Sequence, residues 1–466
     1  MKNKLLHWSV EGLAAIFIVI AFSYYFGYAF TNPDSVIYKI IADGIVKHGD
    51  LPYTFAFDHK PAFIFYTYAL FSLIYPFKVG FFAAFSLLFY LFTGSLISKL
   101  ATGSFKHALS SSAAVLFFYF PFLDFSGNTE IVYNLYAIAS LCLLYCYSAG
   151  SMLLFFSGVL AIFAVNTNYM AGVMLSLPTI YLLMRDGLSP TAKRAAWYAL
   201  GVIAGLAIIL LPIAMQGSLI SGYFEPQIHF LTSYNESSPG FKTTLYYYLP
   251  VLLSILIAPA CVLFGWVKRD VPARGWVAFV ITTISASITL ILTGKEGMHY
   301  AAIYFAPVAM LAVAMGRNPV PIVLACSIPF NFYYAKNTEY LFELHNRVEL
   351  SYTKAKAEEF AAMHQLVGNE KVMSIRASHV LFYLSDMIPF HPYIWNGHSK
   401  LVFGDKENEY FIKQLELSPK FVLTGNGYCE KADRMIDVCD MIKHHYTKKM
   451  SISWAFGYGG DLYQAK

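Results

Sequence analysis

The chain has 466 residues, of which 57% are hydrophobic and only 13% charged, with a mean hydropathy of +0.52 and a net charge of +5. Soluble domains carry roughly a quarter charged residues, so this composition excludes a soluble protein and describes an integral membrane protein. There is no zinc-type cysteine spacing, no Walker sequence and no dinucleotide fingerprint. The apolar runs approach the roughly 20 residues of a spanning helix, not the roughly ten-residue alternation of a β-barrel.

Lys2 and Lys4 precede the first apolar run, 12–30, in which the residues after the signal-like apolar core are Ser23, Tyr24, Tyr25 and Phe26 rather than a small-x-small cleavage site. It reads as an uncleaved span with a cytoplasmic N-terminus. Next comes the most acidic stretch between apolar runs, NPDSVIYKIIADGIVKHGDLPYTFAFDHKPAFIFY, with Asp34, Asp43, Asp50 and Asp58 followed by His59, Lys60 and Pro61. Within it, Val36, Ile37, Ile40, Ile41, Ile45 and Val46 have helical spacing, with Lys39, Asp43 and Lys47 opposite. That pattern predicts an amphipathic helix over 35–48 lying in the membrane interface, with Asp34 just ahead of it. The run 61–75 is short for a span and reads as a second juxtamembrane or re-entrant helix.

Ten further apolar runs follow: 79–98, 108–123, 131–147, 153–166, 169–184, 195–215, 243–266, 276–292, 300–315 and 319–334. With the first they make about eleven spans. The two meeting at Asn166 and Asn168 are short and could form a broken pair. Loop charge agrees with this count. One side holds Lys99, Lys106, Arg185, Lys193, Arg194, Lys268, Arg269, Arg274 and Arg317, with only Asp186 and Asp270 as acids. The other holds the four aspartates above, Asp124, Glu130, Glu225, Glu236 and Glu296. Basic residues thus fall on the cytoplasmic side. If 61–75 spanned, the bias would reverse.

From about Glu339 the charge becomes ordinary and strands alternate with helices. Strands are predicted at 371–375 and 420–424, and helices at 353–367, 379–384, 408–417 and 432–444. The division is a membrane domain, 1–338, containing the first outer loop and its juxtamembrane helices, 31–78, and a small α/β domain, 339–466, outside the cytoplasm. Cys429 and Cys439 lie in that domain, where an oxidising compartment allows a disulfide; two free thiols are the alternative.

Acidic and basic candidates gather on the outer face: Asp34, Asp58, His59 and Lys60; Asp124 and Glu130 in FPFLDFSGNTEIVYNLY; His299 and Tyr300 in TGKEGMHYAAIYFAP. Charges kept near membrane depth are functional candidates by default. Bland readings stand beside each. Asp34 could cap the interfacial helix, Glu130 could cap its span, Lys60 could anchor the next helix, and His299 could simply pack.

An aspartate soon after the first span, an amphipathic helix and then FDHKP resemble the first outer loop of the dolichyl-phosphate-mannose protein mannosyltransferase superfamily, which includes the aminoarabinose lipid A transferases. Glu130 at the start of a span, His299–Tyr300 and the outer C-terminal domain extend the resemblance. It implies the GT-C membrane fold and sugar transfer from a polyprenyl-phosphate donor to a glycan, lipid or protein acceptor. It assigns Asp34 as general base, with Glu130 and Asp58 as further catalytic carboxylates. Lys60, His59, His299 and Tyr300 would meet the donor phosphate. A divalent ion on Asp58, Glu130 and His299 stays open. The sequence departs from the pattern at His59, where an acid is common, and at Asn166, Thr167 and Asn168, where a lysine is common. A bacterial inner membrane and a cell-envelope glycan such as lipopolysaccharide or O-antigen are the expected setting, with membrane lipid as neighbour and no nucleic acid. The rivals are a protein O-glycosyltransferase of the same fold and a transporter or flippase for a lipid-linked sugar. A transporter calls for polar residues near mid-membrane, often on broken helices; here the acids gather at one end.

Overall fold

The computed structural model describes residues 2–26, 32–119, 127–146, 150–185, 187–217, 219–235, 241–263, 271–294, 298–329, 331–332, 356–395, 397–431, 434–453 and 459–466. Asp124, Glu236 and Glu296 lie outside the described residues. Apolar runs separated by Gly, Pro and charged loops fold as helices: α1 (Lys2–Tyr25), α2 (Pro33–Asp43), α3 (Phe63–Ile74), α4 (Phe81–Thr102), α5 (Ala108–Tyr119) and α6 (Thr129–Cys146). They continue as α7 (Ser151–Val165), α8 (Met170–Met184), α9 (Leu188–Met215), α10 (Glu225–Asn235), α11 (Phe241–Leu263), α12 (Ala273–Thr293) and α13 (Phe305–Ala314). The last of this half is α14 (Val320–Pro329). Among the described residues, Phe81–Thr102, Thr129–Cys146, Thr191–Met215 and Ala273–Thr293 are long and apolar enough to cross a membrane. The other predicted runs are shorter apolar helices.

Small residues let these helices approach. A Cβ on Gly158 of α7 would strike the Tyr198 carbonyl, and one on Gly201 of α9 would strike the Phe155 carbonyl. With Gly205 on Ile162, α9 presents a G-x-x-x-G face to α7, the means by which helices associate without a hydrophobic driving force. A charge serves the same end elsewhere. Glu11 of α1 is buried, and its carboxylate accepts the Ser110 backbone N–H at 3.1 Å and the Ser110 hydroxyl.

The C-terminal part forms a five-stranded sheet in the order β2-β1-β3-β5-β4, from β1 (Lys371–Ile375), β2 (Ile388–Pro389), β3 (Phe421–Gly425), β4 (Tyr446–Ile452) and β5 (Gly460–Ala465). β2, β1 and β3 are parallel; β5 and β4 are antiparallel. The helices are α15 (Ala357–Val367), α16 (His379–Leu384), α17 (His398–Phe403), α18 (Glu407–Glu416) and α19 (Ile436–His445). A disulfide joins Cys429 to Cys439 with 5.4 Å between Cα atoms. β4 and β5 were not predicted. Lys448 and Lys449 interrupt the apolar pattern of β4, as suits an edge strand.

Two features of α2 differ from the sequence reading. The helix starts at Pro33 and changes to a π-helical turn at Gly44–His48. It is also buried on every side from Ser35 to Ala42, Lys39 included. Lys39 pairs with Asp43 and sits over the Phe81 ring at 4.8 Å. Of the polar side, Lys39 is covered and Asp43 half-buried, with α16 of the sheet domain lying against α2, while Lys47 stays exposed.

Replacing Gly201 with leucine forces side chain into backbone and costs about 1–3 kcal/mol. A lower melting temperature of the detergent-solubilised protein is expected, with Gly201→Ala intermediate; equal melting of all three would show that α7 and α9 do not touch there.

Candidate active site at the first outer loop

Local sequence sets the direction of Asp34. Asn32 is extended at φ −147°, and its side-chain oxygen accepts the Asp34 N–H at 2.9 Å. Pro33 fills the first helical position, where its missing N–H costs nothing. The cap is therefore Asn32, and Asp34 is the second residue of α2 rather than the residue ahead of it. Its carboxylate is spared the capping role. Asp34 is half-buried, and loss of solvent pushes its pKa up; the Lys60 ammonium, and after it the His299 ring, pulls partly back.

The FDHKP turn is built around Asp58, which is fully buried. Asp58 Oδ2 accepts the Lys60 N–H at 3.1 Å, and the Asp58 carbonyl accepts Gln227 Nε2–H at 3.0 Å. The Tyr53 hydroxyl donates to the Lys60 carbonyl at 2.8 Å. Burial alone would raise the Asp58 pKa; the neighbouring His59, His398 and Lys60 prevail and hold the carboxyl well below its usual range. Burial lowers His398 to about 3, against the pull of Asp58. His398 is thus neutral at neutral pH.

Asp58, His59 and His398 form a set whose ligand atoms all lie within 4.8 Å of one another. His59 Nδ1 is 3.2 Å and His398 Nδ1 4.0 Å from Asp58 Oδ1. Among the described residues His398 Nδ1 is buried without a hydrogen-bond partner. One carboxylate and two imidazoles suit a zinc-like divalent ion. Of the expected metal set, only Asp58 belongs to this cluster. The Glu130 carboxylate accepts from the Thr129 hydroxyl at 3.2 Å, and His299 packs on Tyr300 with ring centroids 4.1 Å apart.

A cavity of about 330 Å³ opens beside these groups. Lys60, His59, Tyr300 and Asn168 supply its polar lining, and Met170 and Leu292 part of its apolar lining. The Lys60 ammonium has no hydrogen bond or ion pair among the described residues, although it acts electrostatically on Asp34, Asp58 and Glu130. The break between α7 and α8 has structural work. The Asn166 carbonyl accepts the Phe63 N–H at 3.0 Å, Asn168 Nδ2 donates to the Thr129 hydroxyl at 3.1 Å, and Asn168 Oδ1 accepts the Met170 N–H at 3.1 Å.

The structure thus groups Asp34, Asp58, His59, Lys60 and Glu130 with His299 and Tyr300. The sequence reading missed His398, His379, Gln227 and Tyr53. The two histidines come from the sheet domain and carry no local motif; only that domain's expected place on the outer face pointed toward them.

No family model matches the chain, and no curated protein does. Solved structures do resemble it. The ArnT of Cupriavidus metallidurans in the apo state aligns at TM-score 0.61 with 11% identity, covering 97% of each chain. The same enzyme bound to undecaprenyl phosphate aligns at TM-score 0.57 with 12% identity over 99% of this chain and 98% of that one. The apo oligosaccharyltransferase of Archaeoglobus fulgidus aligns at TM-score 0.47 with 12% identity, over 98% and 74%. The chain therefore has the GT-C membrane fold, a helical membrane half closed by a small sheet domain. ArnT is an aminoarabinose lipid A transferase. At this identity the likeness carries the fold and not the reaction.

Because its folded-state pKa is raised, ionised Asp34 costs stability at neutral pH. Asp34→Asn should melt a few degrees above wild type at pH 7. The gap should close as pH falls and the wild-type carboxyl takes up a proton. A variant that melts below wild type at pH 7 would contradict this electrostatic picture.

Proposed function

We propose that the protein is a membrane glycosyltransferase that moves a sugar from a polyprenyl-phosphate donor to an acceptor hydroxyl. The observation that carries this reading is a cavity, part polar and part apolar, lined by Lys60, His59 and Tyr300, with the Asp34 carboxylate within electrostatic reach of Lys60. A sugar hydroxyl is a poor nucleophile and needs a positioned base. Asp34, with its raised pKa, takes the hydroxyl proton as the new bond forms to the anomeric carbon. The bond from that carbon to the phosphate oxygen breaks, and the leaving group is polyprenyl phosphate. Lys60 meets the charge that develops there. Tyr300, His59 and His299 support the phosphate end, and Glu130 keeps the local charge balanced against Lys60. The lipid chain follows the apolar side of the cavity, lined by Met170 and Leu292. A divalent ion held by Asp58, His59 and His398 would supply further positive charge to this pocket.

A glycan acceptor is the favoured partner. At the far end of α2 a second cavity of about 270 Å³ is lined by Asp43, Lys47, His48 and Phe55 of the first loop and by His364 and Asp386 of the sheet domain. Mixed donors, acceptors and aromatic faces of this kind suit a sugar chain such as lipopolysaccharide or O-antigen. Residues 1–338 then act as the catalytic membrane domain and 339–466 as its outer cover, in a bacterial inner membrane with the N-terminus cytoplasmic. A transporter is disfavoured, because the asparagines of the α7–α8 break are taken up in hydrogen bonds that fix the helices.

The test uses purified protein, a panel of polyprenyl-phosphate sugars and a membrane extract as acceptor source. Wild type should release polyprenyl phosphate from one donor, and Asp34→Asn should lose about 10²–10⁴-fold in rate. No release from any donor, or an equally active variant, would sink the reading.

A further inference from the structure

One peptide unit in the site is held at both ends. The Pro33–Asp34 peptide gives its N–H to the side chain of Asn32 at 2.9 Å. Its carbonyl, on Pro33, lies 2.7 Å from Nε2 of His379, a residue 346 positions away in the sheet domain. A carbonyl only accepts, so Nε2 carries the proton and Nδ1 the lone pair. His379 is buried, and among the described residues its Nδ1 has no hydrogen-bond partner. Burial lowers the ring to about 4, so it is a neutral, fixed donor at neutral pH. The ring rests on Trp395 with centroids 4.5 Å apart, and His398 stacks on the same indole at 4.2 Å. Ser378 caps α16, its hydroxyl accepting the Val380 N–H at 3.3 Å, which fixes where the helix starts and where His379 stands.

A peptide unit is planar. Clamping its oxygen and its nitrogen sets the plane, and the plane sets the direction in which the next residue's side chain leaves the backbone. That next residue is Asp34. A buried imidazole with one unsatisfied nitrogen is a costly way to fill space; an apolar ring on Trp395 would fill it better.

We propose that His379 is a positioning residue for Asp34, holding the Pro33–Asp34 peptide plane from the sheet domain so that the aim of the base depends on the docking of that domain. The proposal rests on Asp34 being the base.

The test compares wild type, His379→Phe and His379→Gln in the full-length protein. Phenylalanine keeps a ring on Trp395 and removes the donor; glutamine keeps an N–H at similar reach. Transfer rate, donor KM and amide exchange over residues 33–41 are read on each. His379→Phe should lose up to about a hundredfold in kcat, as a misplacement of about 1 Å does. Its donor KM should stay within about twofold of wild type, and exchange at 33–41 should quicken. His379→Gln should recover most of both. The proposal is overturned if the phenylalanine variant matches wild type in rate and exchange, or if both variants lose equally. Should His379→Phe fail to accumulate, His379→Asn, too short to reach Pro33, takes its place with the same expectations. If wild type itself transfers no sugar, Asp34 is not a base of this reaction. Exchange then still decides the clamp: faster with phenylalanine than with glutamine supports it, and wild-type exchange in both overturns it.

Discussion

Carboxylates cannot be gathered at the edge of a bilayer unless something answers their charge. Asp34, Asp58 and Glu130 are all drawn out of water, and Lys60 is the cation that acts on each of them. Removing a charge from water costs several kcal/mol unless it is paired or hydrogen-bonded. The three acids meet this demand differently. Asp58 accepts the Lys60 backbone N–H and has His59 and His398 beside it, which hold its carboxyl ionised. Glu130 is held by Thr129, and through it by Asn168. Asp34 has its pKa raised by burial, against the pull of Lys60. The Lys60 ammonium itself has no hydrogen bond or ion pair among the described residues.

The sheet domain belongs to this same balance. It covers α2, buries Lys39 against Asp43, and sends His379 and His398 toward the first loop. Lys78, between α3 and α4, pairs with Asp386 at 2.6 Å and donates to the Tyr383 carbonyl at 2.7 Å, which fastens the domain beside the end of α2. The sheet domain is thus a wall of the site. That accounts for a first loop rich in acids yet largely buried.

Much of the fold was legible, and for local reasons. Strand 371–375 and helix 379–384 appear with the predicted bounds, because Ser378 and the apolar run before it are short-range signals. Strand 421–425 and helix 407–416 are shifted by one residue. The helix predicted after Pro61 is present as Phe63–Ile74. What was not legible came from distance. The periodicity of 35–48 finds the helix, but it cannot say that a domain more than 300 residues away packs against it or that Lys39 is buried. Asn32 as the cap of α2 was missed because Asp34 and Ser35 are equally good capping residues by type. The FDHKP turn marked Asp58, His59 and Lys60, whereas the histidine closing the cluster, His398, sits in a sequence, NGHSK, that signals nothing by itself.

The central claim is that Lys60 is kept for a phosphate on a lipid. Retention of undecaprenyl phosphate by the purified protein, read by native mass spectrometry for wild type and Lys60→Met, tests it without any knowledge of sugar or acceptor. Methionine preserves the apolar stem and removes the charge. Wild type should retain the lipid phosphate, and the variant should bind it about tenfold or more weakly, the worth of one charge-assisted hydrogen bond. Equal retention by the two would mean that Lys60 answers only the protein's own carboxylates, and the donor site would have to be sought elsewhere.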